Sequence, residues 1–132
     1  MSELFKIEIV NPEKSFFAKE NVSEVVVPAF EGEIGILKDH ISIISFLKPG
    51  IVKIFMGSEE ENFYVEDGVV EFKDNTLSIL TSSIFNIKNA DKNQINNSIA
   101  ESEKELENNE LDDQKKFLLN HKIEILKSIN LN

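Results

Sequence analysis

The sequence predicts a mainly β fold with an α appendage: an N-terminal antiparallel β-sandwich of about ten short strands, then a C-terminal antiparallel two-helix hairpin. Three observations lead there. Apolar and polar residues alternate in short runs through the first part of the chain, the period of a strand with one buried and one wet face. Gly, Pro, Asn and Asp separate those runs as turns. Near Asn86 the period lengthens to that of a helix and stays so. The expected division is a sandwich over residues 1–86 and a helical hairpin over residues 87–132.

Phe5, Ile7 and Ile9 alternate with Lys6 and Glu8, and Asn11-Pro12 ends this first strand. A second, carrying Phe16 and Phe17, returns through Asn21 into Val22 as its antiparallel neighbour. The centre of the chain is residues 25–53, VVVPAFEGEIGILKDHISIISFLKPGIVK, a connected set of short strands. Val25, Val26 and Val27 are β-branched, and Pro28 lacks the N–H of a central ladder, so that strand stops there or lies at an edge. Residues 29–33 form a loop, and Gly32 and Gly35 flank Ile34 where the chain bends or another backbone comes close. Lys38-Asp39-His40 is the next turn. Ile41, Ile43, Ile44, Phe46 and Leu47 follow as an apolar strand, and Lys48-Pro49-Gly50 places Pro before Gly in the order a type II turn favours.

Ile51, Val52, Ile54 and Phe55 make another strand, broken by residues 56–61, whose Glu59, Glu60 and Glu61 suit a solvated hairpin loop. Phe63 and Val65 resume it; Asp67-Gly68 supplies a positive φ for a tight turn; Val69, Val70 and Phe72 follow; Asp74-Asn75 leads into Leu77, Ile79 and Leu80. Beyond Asn86, Asp91 with Gln94 three places on has the form of a capping box, and Ile95, Ile99, Ser102 or Glu103, and Leu106 share a helical face. A second helix begins near Asp112 with Leu118, Leu119, Ile123, Ile125, Leu126 and Ile129 on a broader apolar face. Each helix is expected to run roughly 18 residues, ~27 Å. Glu101, Glu103, Glu105 and Glu107 meet Lys115, Lys116 and Lys122 on folding back. The first helix has few apolar residues, so the hairpin is expected to lean on the sandwich or on a partner.

At 132 residues the chain has room for one ordinary domain or a small core with an appendage. Its 41% hydrophobic and 29% charged residues are those of a globular protein. No apolar run approaches the ~20 residues of a membrane-spanning helix, and MSELFKIEIVN lacks the form of a secretory signal. There is no Cys, and all 14 basic residues are Lys, so thiolate chemistry and bidentate guanidinium clamps are both excluded. The net charge of −10 disfavours nucleic acid and anionic headgroups. Residues 1–85 hold 15 acids and 7 Lys, so most of the acidity belongs to the sandwich.

The two His, His40 in a loop and His121 on a helix, do not make a metal set or a triad, and Gly32-Glu33-Ile34-Gly35 is neither a P-loop nor a dinucleotide fingerprint. The chain therefore reads as non-catalytic, without cofactor or metal. A nucleotide-sensing regulatory module remains as an alternative, as does a small hydrolase using Glu31 and Glu33.

The order P-x-x-E-G-E-x-G-I-L from Pro28 to Leu37, x-x-H at His40 and L-K-P-G-x-V from Leu47 to Val52 resembles the epsilon subunit of F-type ATP synthase. The resemblance extends over essentially the whole chain, most strongly to about Leu80. It implies a central-stalk rotor subunit of a proton-translocating enzyme, peripheral on the cytoplasmic face of a bacterial inner membrane. Its implied partners are the membrane rotor ring, through Glu31, Gly32 and Glu33, and the gamma shaft, through His40 and the strand end near Asn11. The helical hairpin would contact the catalytic head subunits and regulate ATP hydrolysis. Some members of that family bind ATP through I/L-D-x-x-R-A; here Ala90-Asp91-Lys92-Asn93-Gln94-Ile95 keeps only Asp91, so tight ATP binding is not expected.

Overall fold

Alternation carries the first strands into a common core. In a computed structural model that describes residues 3–13 and 15–129, β1 (Phe5–Val10) buries Phe5, Ile7 and Ile9 and exposes Lys6 and Glu8. Nine more strands follow: β2 (Ser15–Val22), β3 (Glu24–Ala29), β4 (Gly32–Ile36), β5 (Ile43–Leu47), β6 (Gly50–Met56), β7 (Glu59–Val65), β8 (Gly68–Lys73), β9 (Thr76–Leu80) and β10 (Ile84–Asn86). Two helices close the chain, α1 (Lys92–Glu105) and α2 (Asp113–Ser128). The outer limits expected for the two parts, residues 1 and 132, lie outside the described residues.

The hydrogen-bonded path runs β10-β7-β6-β3-β5-β8-β9-β1-β2, with β4 attached to β3. It folds over at β3 and β5, which share the single register pair Ala29 and Leu47. Beside that pair the Phe30 N–H donates to the Phe46 carbonyl at 3.0 Å, and the Lys48 N–H to the Pro28 carbonyl at 3.0 Å. The far end of the path comes round to the first layer, where Phe16 and Phe17 of β2 meet Phe63 of β7 edge-on at 5.6 and 5.0 Å. Between the layers lie Val25, Val27, Val52, Ile54, Val70, Phe72, Leu77 and Ile79, with Phe5 against Phe72 at 5.5 Å. Each such large side chain contributes about 1.5–3 kcal/mol by leaving water.

The structure departs from the sequence reading at several places. The strand through the valines does not stop at Pro28 but continues to Ala29. Pro28 is tolerated because β6 pairs with β3 only up to Val26 and β5 begins at Ala29, so the missing N–H falls in a gap between two ladders. Residues 29–33 are not an open loop: Phe30-Glu31 alone turns the chain, and Gly32 and Glu33 already pair within β4. Glu59, Glu60 and Glu61 stand in β7 opposite Met56, Phe55 and Ile54, because Gly57-Ser58 makes the reversal, with Gly57 at φ +67°. One pairing is parallel, β1 with β9, Ile7 opposite Leu77.

The hairpin covers the outer face of β6, β7 and β10. Tyr64, Ile95 and Leu126 form a second buried cluster, with Ile51, Phe85, Ile99 and Ile125 packed against it. Ser102 rather than Glu103 faces inward. The helices are shorter than expected, 14 and 16 residues. Asp91 caps α1 by accepting from the Asn93 N–H at 2.8 Å, not from Gln94, and Asp112 caps α2 by accepting from the Lys115 N–H at 2.8 Å. The charge pairing also differs. Lys122 reaches Glu66 of the sandwich at 2.9 Å, and the pair linking the helices is Lys127 with Glu103 at 3.5 Å.

Candidate functional site

Glu31 stands at the tip of the β3–β4 hairpin, followed by Gly32 at φ +136°, a conformation that glycine adopts without a Cβ penalty. Its Oε1 accepts from the Ser45 hydroxyl at 2.7 Å, which ties the turn to β5. That bond first, and its own backbone N–H second, hold the exposed Glu31 carboxyl below its ordinary pKa. Glu33 is exposed on β4 opposite Pro28. These two acids and Gly32 are thus presented together on one projecting hairpin.

His40 lies beyond the other end of β5, in the connection that leads into Ile43. Asp39, at φ +67°, donates its N–H to Asn75 Oδ1 at 2.7 Å and accepts from Asn75 Nδ2 at 2.9 Å, so the turn before His40 is fastened to the β8–β9 turn. The His40 ring stands edge-on to Phe72 at 6.0 Å. Its Nδ1 is 2.7 Å from the Ile41 carbonyl, and since a carbonyl only accepts, Nδ1 is the donor in that contact. Asn11 follows β1, and its Oδ1 accepts from the Glu13 N–H at 3.0 Å.

Between these groups lies a feature that residue-by-residue reading of the sequence missed. Phe46, Val69, Leu80 and Val10 are successive register partners across β5, β8, β9 and β1, so they form one row on the outer face of the second layer. Ile44 stands beside that row, 71% exposed, and Phe46 and Leu80 are 66% and 50% exposed. Ile41, between His40 and β5, is also exposed. Asn11 adjoins the Val10 end. The row gathers apolar surface on the solvent-facing side of the sheet, with Val10 and Val69 half-buried within it. The signal in the sequence was the run Ile43-Ile44-Ser45-Phe46-Leu47, apolar on both strand faces although only one face can point into a two-layer core.

Asp91 borders a separate cleft of about 360 Å³, lined also by Phe85, Ala90, Gln94, Ile95 and Ser98. Asp91 is the one charged residue in that lining, and its carboxylate already occupies a helix N–H. No cluster of His, Asp or Glu suited to a metal ion occurs among the described residues, and His121 stacks on Phe117 at 6.0 Å, far along the chain from His40. No described helix is long and apolar enough to cross a membrane.

Comparison with known proteins agrees with this architecture. Residues 4–87 match the family model described as ATP synthase, Delta/Epsilon chain, beta-sandwich domain. The ATP synthase epsilon chain of Pelagibacter ubique is 66% identical over 130 residues, spanning 98% of this chain and 100% of that one. Among solved structures, a chain of the Euglena gracilis mitochondrial ATP synthase superposes with a TM-score of 0.72 at 17% identity, covering 96% of this chain and 79% of that one. A chain of the Tetrahymena thermophila mitochondrial ATP synthase central stalk and c-ring gives 0.66 at 18% identity, covering 92% of each. These two likenesses are of fold. Taken with the family match and the full-length relative, they leave one conclusion: the chain belongs to the ATP synthase delta/epsilon chain family, as a non-catalytic subunit of that complex.

Proposed function

We propose that this chain is a rotor subunit in the central stalk of a proton-translocating F-type ATP synthase, peripheral on the cytoplasmic face of a bacterial inner membrane. It joins the membrane ring to the gamma shaft by protein contact alone. The observation that carries this reading is the apolar row of Phe46, Val69, Leu80 and Val10, left open on a sandwich whose other outer face the hairpin already covers. An interface that holds under torque buries on the order of 2,000 Å², more than the row alone provides, so the flanking polar groups take part.

In this reading Glu31, Gly32 and Glu33 meet the polar loops of the ring, and His40 and Asn11 meet gamma on either side of the row. The division into a sandwich over residues 1–86 and a hairpin over residues 87–132 separates this coupling surface from a helical part that touches the catalytic head and regulates ATP hydrolysis. Affinity purification of the tagged chain from its native membrane tests the assignment. Gamma and ring subunits should come with it in stoichiometric yield. Recovery of the chain alone would refute the rotor role.

A further inference from the structure

A cleft of about 330 Å³ opens where the sandwich meets α2, and Lys48, Lys53 and His121 all line it. Ile51 from β6 and Ile125 from α2 give it an apolar lining. In a chain of net charge −10 this is an unusual concentration of cationic and hydrogen-bonding nitrogens. Both lysines are half-buried, and neither belongs to an ion pair among the described residues, whose pairs are Lys88 with Glu61, Lys122 with Glu66 and Lys127 with Glu103. Two half-buried lysines and one histidine thus share a single lining, with one acid to set against them. Glu33 is the one acid in the lining, and it is exposed on β4, where water screens it.

We propose that this cleft is a binding site for a phosphate-type dianion, held by Lys48 and Lys53 as point charges and by a ring nitrogen of His121. The ligand is small. The volume is at the lower end of the range for ligand pockets, which suits a free phosphate ion or one terminal phosphate group. The site is separate from the Asp91 cleft, whose lining contains no cationic side chain. Glu33 acts as the internal competitor, the group that an incoming anion must displace or tolerate.

The test is an amide NMR titration of the full chain with inorganic phosphate, with chloride adjusted to keep ionic strength constant, and a parallel titration with AMP. Saturable shifts should centre on Ile51, Lys53, His121 and Ile125. Lys48→Gln and Lys53→Gln should each weaken binding about tenfold, the loss of one charge-assisted contact, while Glu33→Gln should tighten it. AMP binding more tightly than inorganic phosphate through the same amides would assign the site to a nucleotide phosphate; equal or weaker binding assigns it to the free ion. Shifts that do not saturate, or an affinity unchanged in both lysine variants with the fold intact by circular dichroism, would overturn the proposal.

Discussion

Gly50 lies so close under the Pro28 ring that a Cβ built on it would stand 2.5 Å from Pro28 Cβ and 2.9 Å from Cγ. Both residues are buried where β3 and the start of β6 pass each other, and neither contact is with the movable end of a side chain. Gly50→Ala should therefore cost about 1–3 kcal/mol, the usual penalty of overpacking. Urea denaturation would measure it. Pro28→Ala should give no rescue, since the nearest atom is the Cβ that alanine keeps.

Tyr64 is buried beneath the hairpin, stacked on Phe85 at 5.1 Å, and its hydroxyl has no hydrogen-bond partner. Tyr64→Phe should leave the packing intact and raise stability by roughly 1 kcal/mol, the order of the lost desolvation penalty. Burial first, then Glu66 and Asp67, push the phenol well above its ordinary value of 10.0. The unfolded chain then releases this proton before the folded one does. Stability from the group is complete below about pH 10 and falls as pH rises beyond it, and Tyr64→Phe should remove that part of the alkaline loss. Denaturation midpoints at pH 8 and pH 10.5 would compare the two proteins.

A chain ending at Asn86 should still melt cooperatively, because the core between the layers contains no residue of either helix. It should also be less stable than the full chain, since Ile51, Tyr64 and Phe85 lose their cover. Calorimetry would see one sharp transition at a lower temperature; a broad, non-cooperative melt would show that the sandwich needs the hairpin to fold.

Changing Glu31 and Glu33 together to Lys should abolish association with the rotor ring and leave the melting temperature nearly unchanged, because both side chains are exposed. Pull-down and a thermal melt on the same preparation would separate the two effects. Ring binding retained with a collapsed melt would make the hairpin tip structural.

ATP should bind with a dissociation constant weaker than about 1 mM, less than ~4 kcal/mol. Asp91 supplies negative charge to its cleft, and the chain has no guanidinium with which to compensate it. Calorimetric titration giving micromolar affinity, lost in Asp91→Ala, would overturn this and restore the nucleotide-sensing reading.

The strands were legible because Phe5, Ile7 and Ile9, or Leu77 and Ile79, announce one buried face by local period alone. The helix starts were legible too, since Asp91 and Asp112 do cap them. What period cannot tell is which strand lies beside which. Glu59 to Glu61 read as a loop by charge, yet two exposed acids and one held by Asn86 and Lys88 are compatible with a strand that extends past the cover of β10. The apolar row was hidden for the same reason. Val10, Phe46, Val69 and Leu80 are scattered along the chain, and only pairing register brings them into line.

The parallel ladder between β1 and β9 places an early strand beside one made about 70 residues later. On a ribosome, β1 can pair at once with β2, but its other edge stays open until Thr76–Leu80 has emerged. Until then the apolar side chains Phe5, Ile7 and Ile9 have no finished layer to enter. The layer that holds β1 therefore cannot close until β9 has been made. The ninth of the ten strands is the one that closes the free edge of the first.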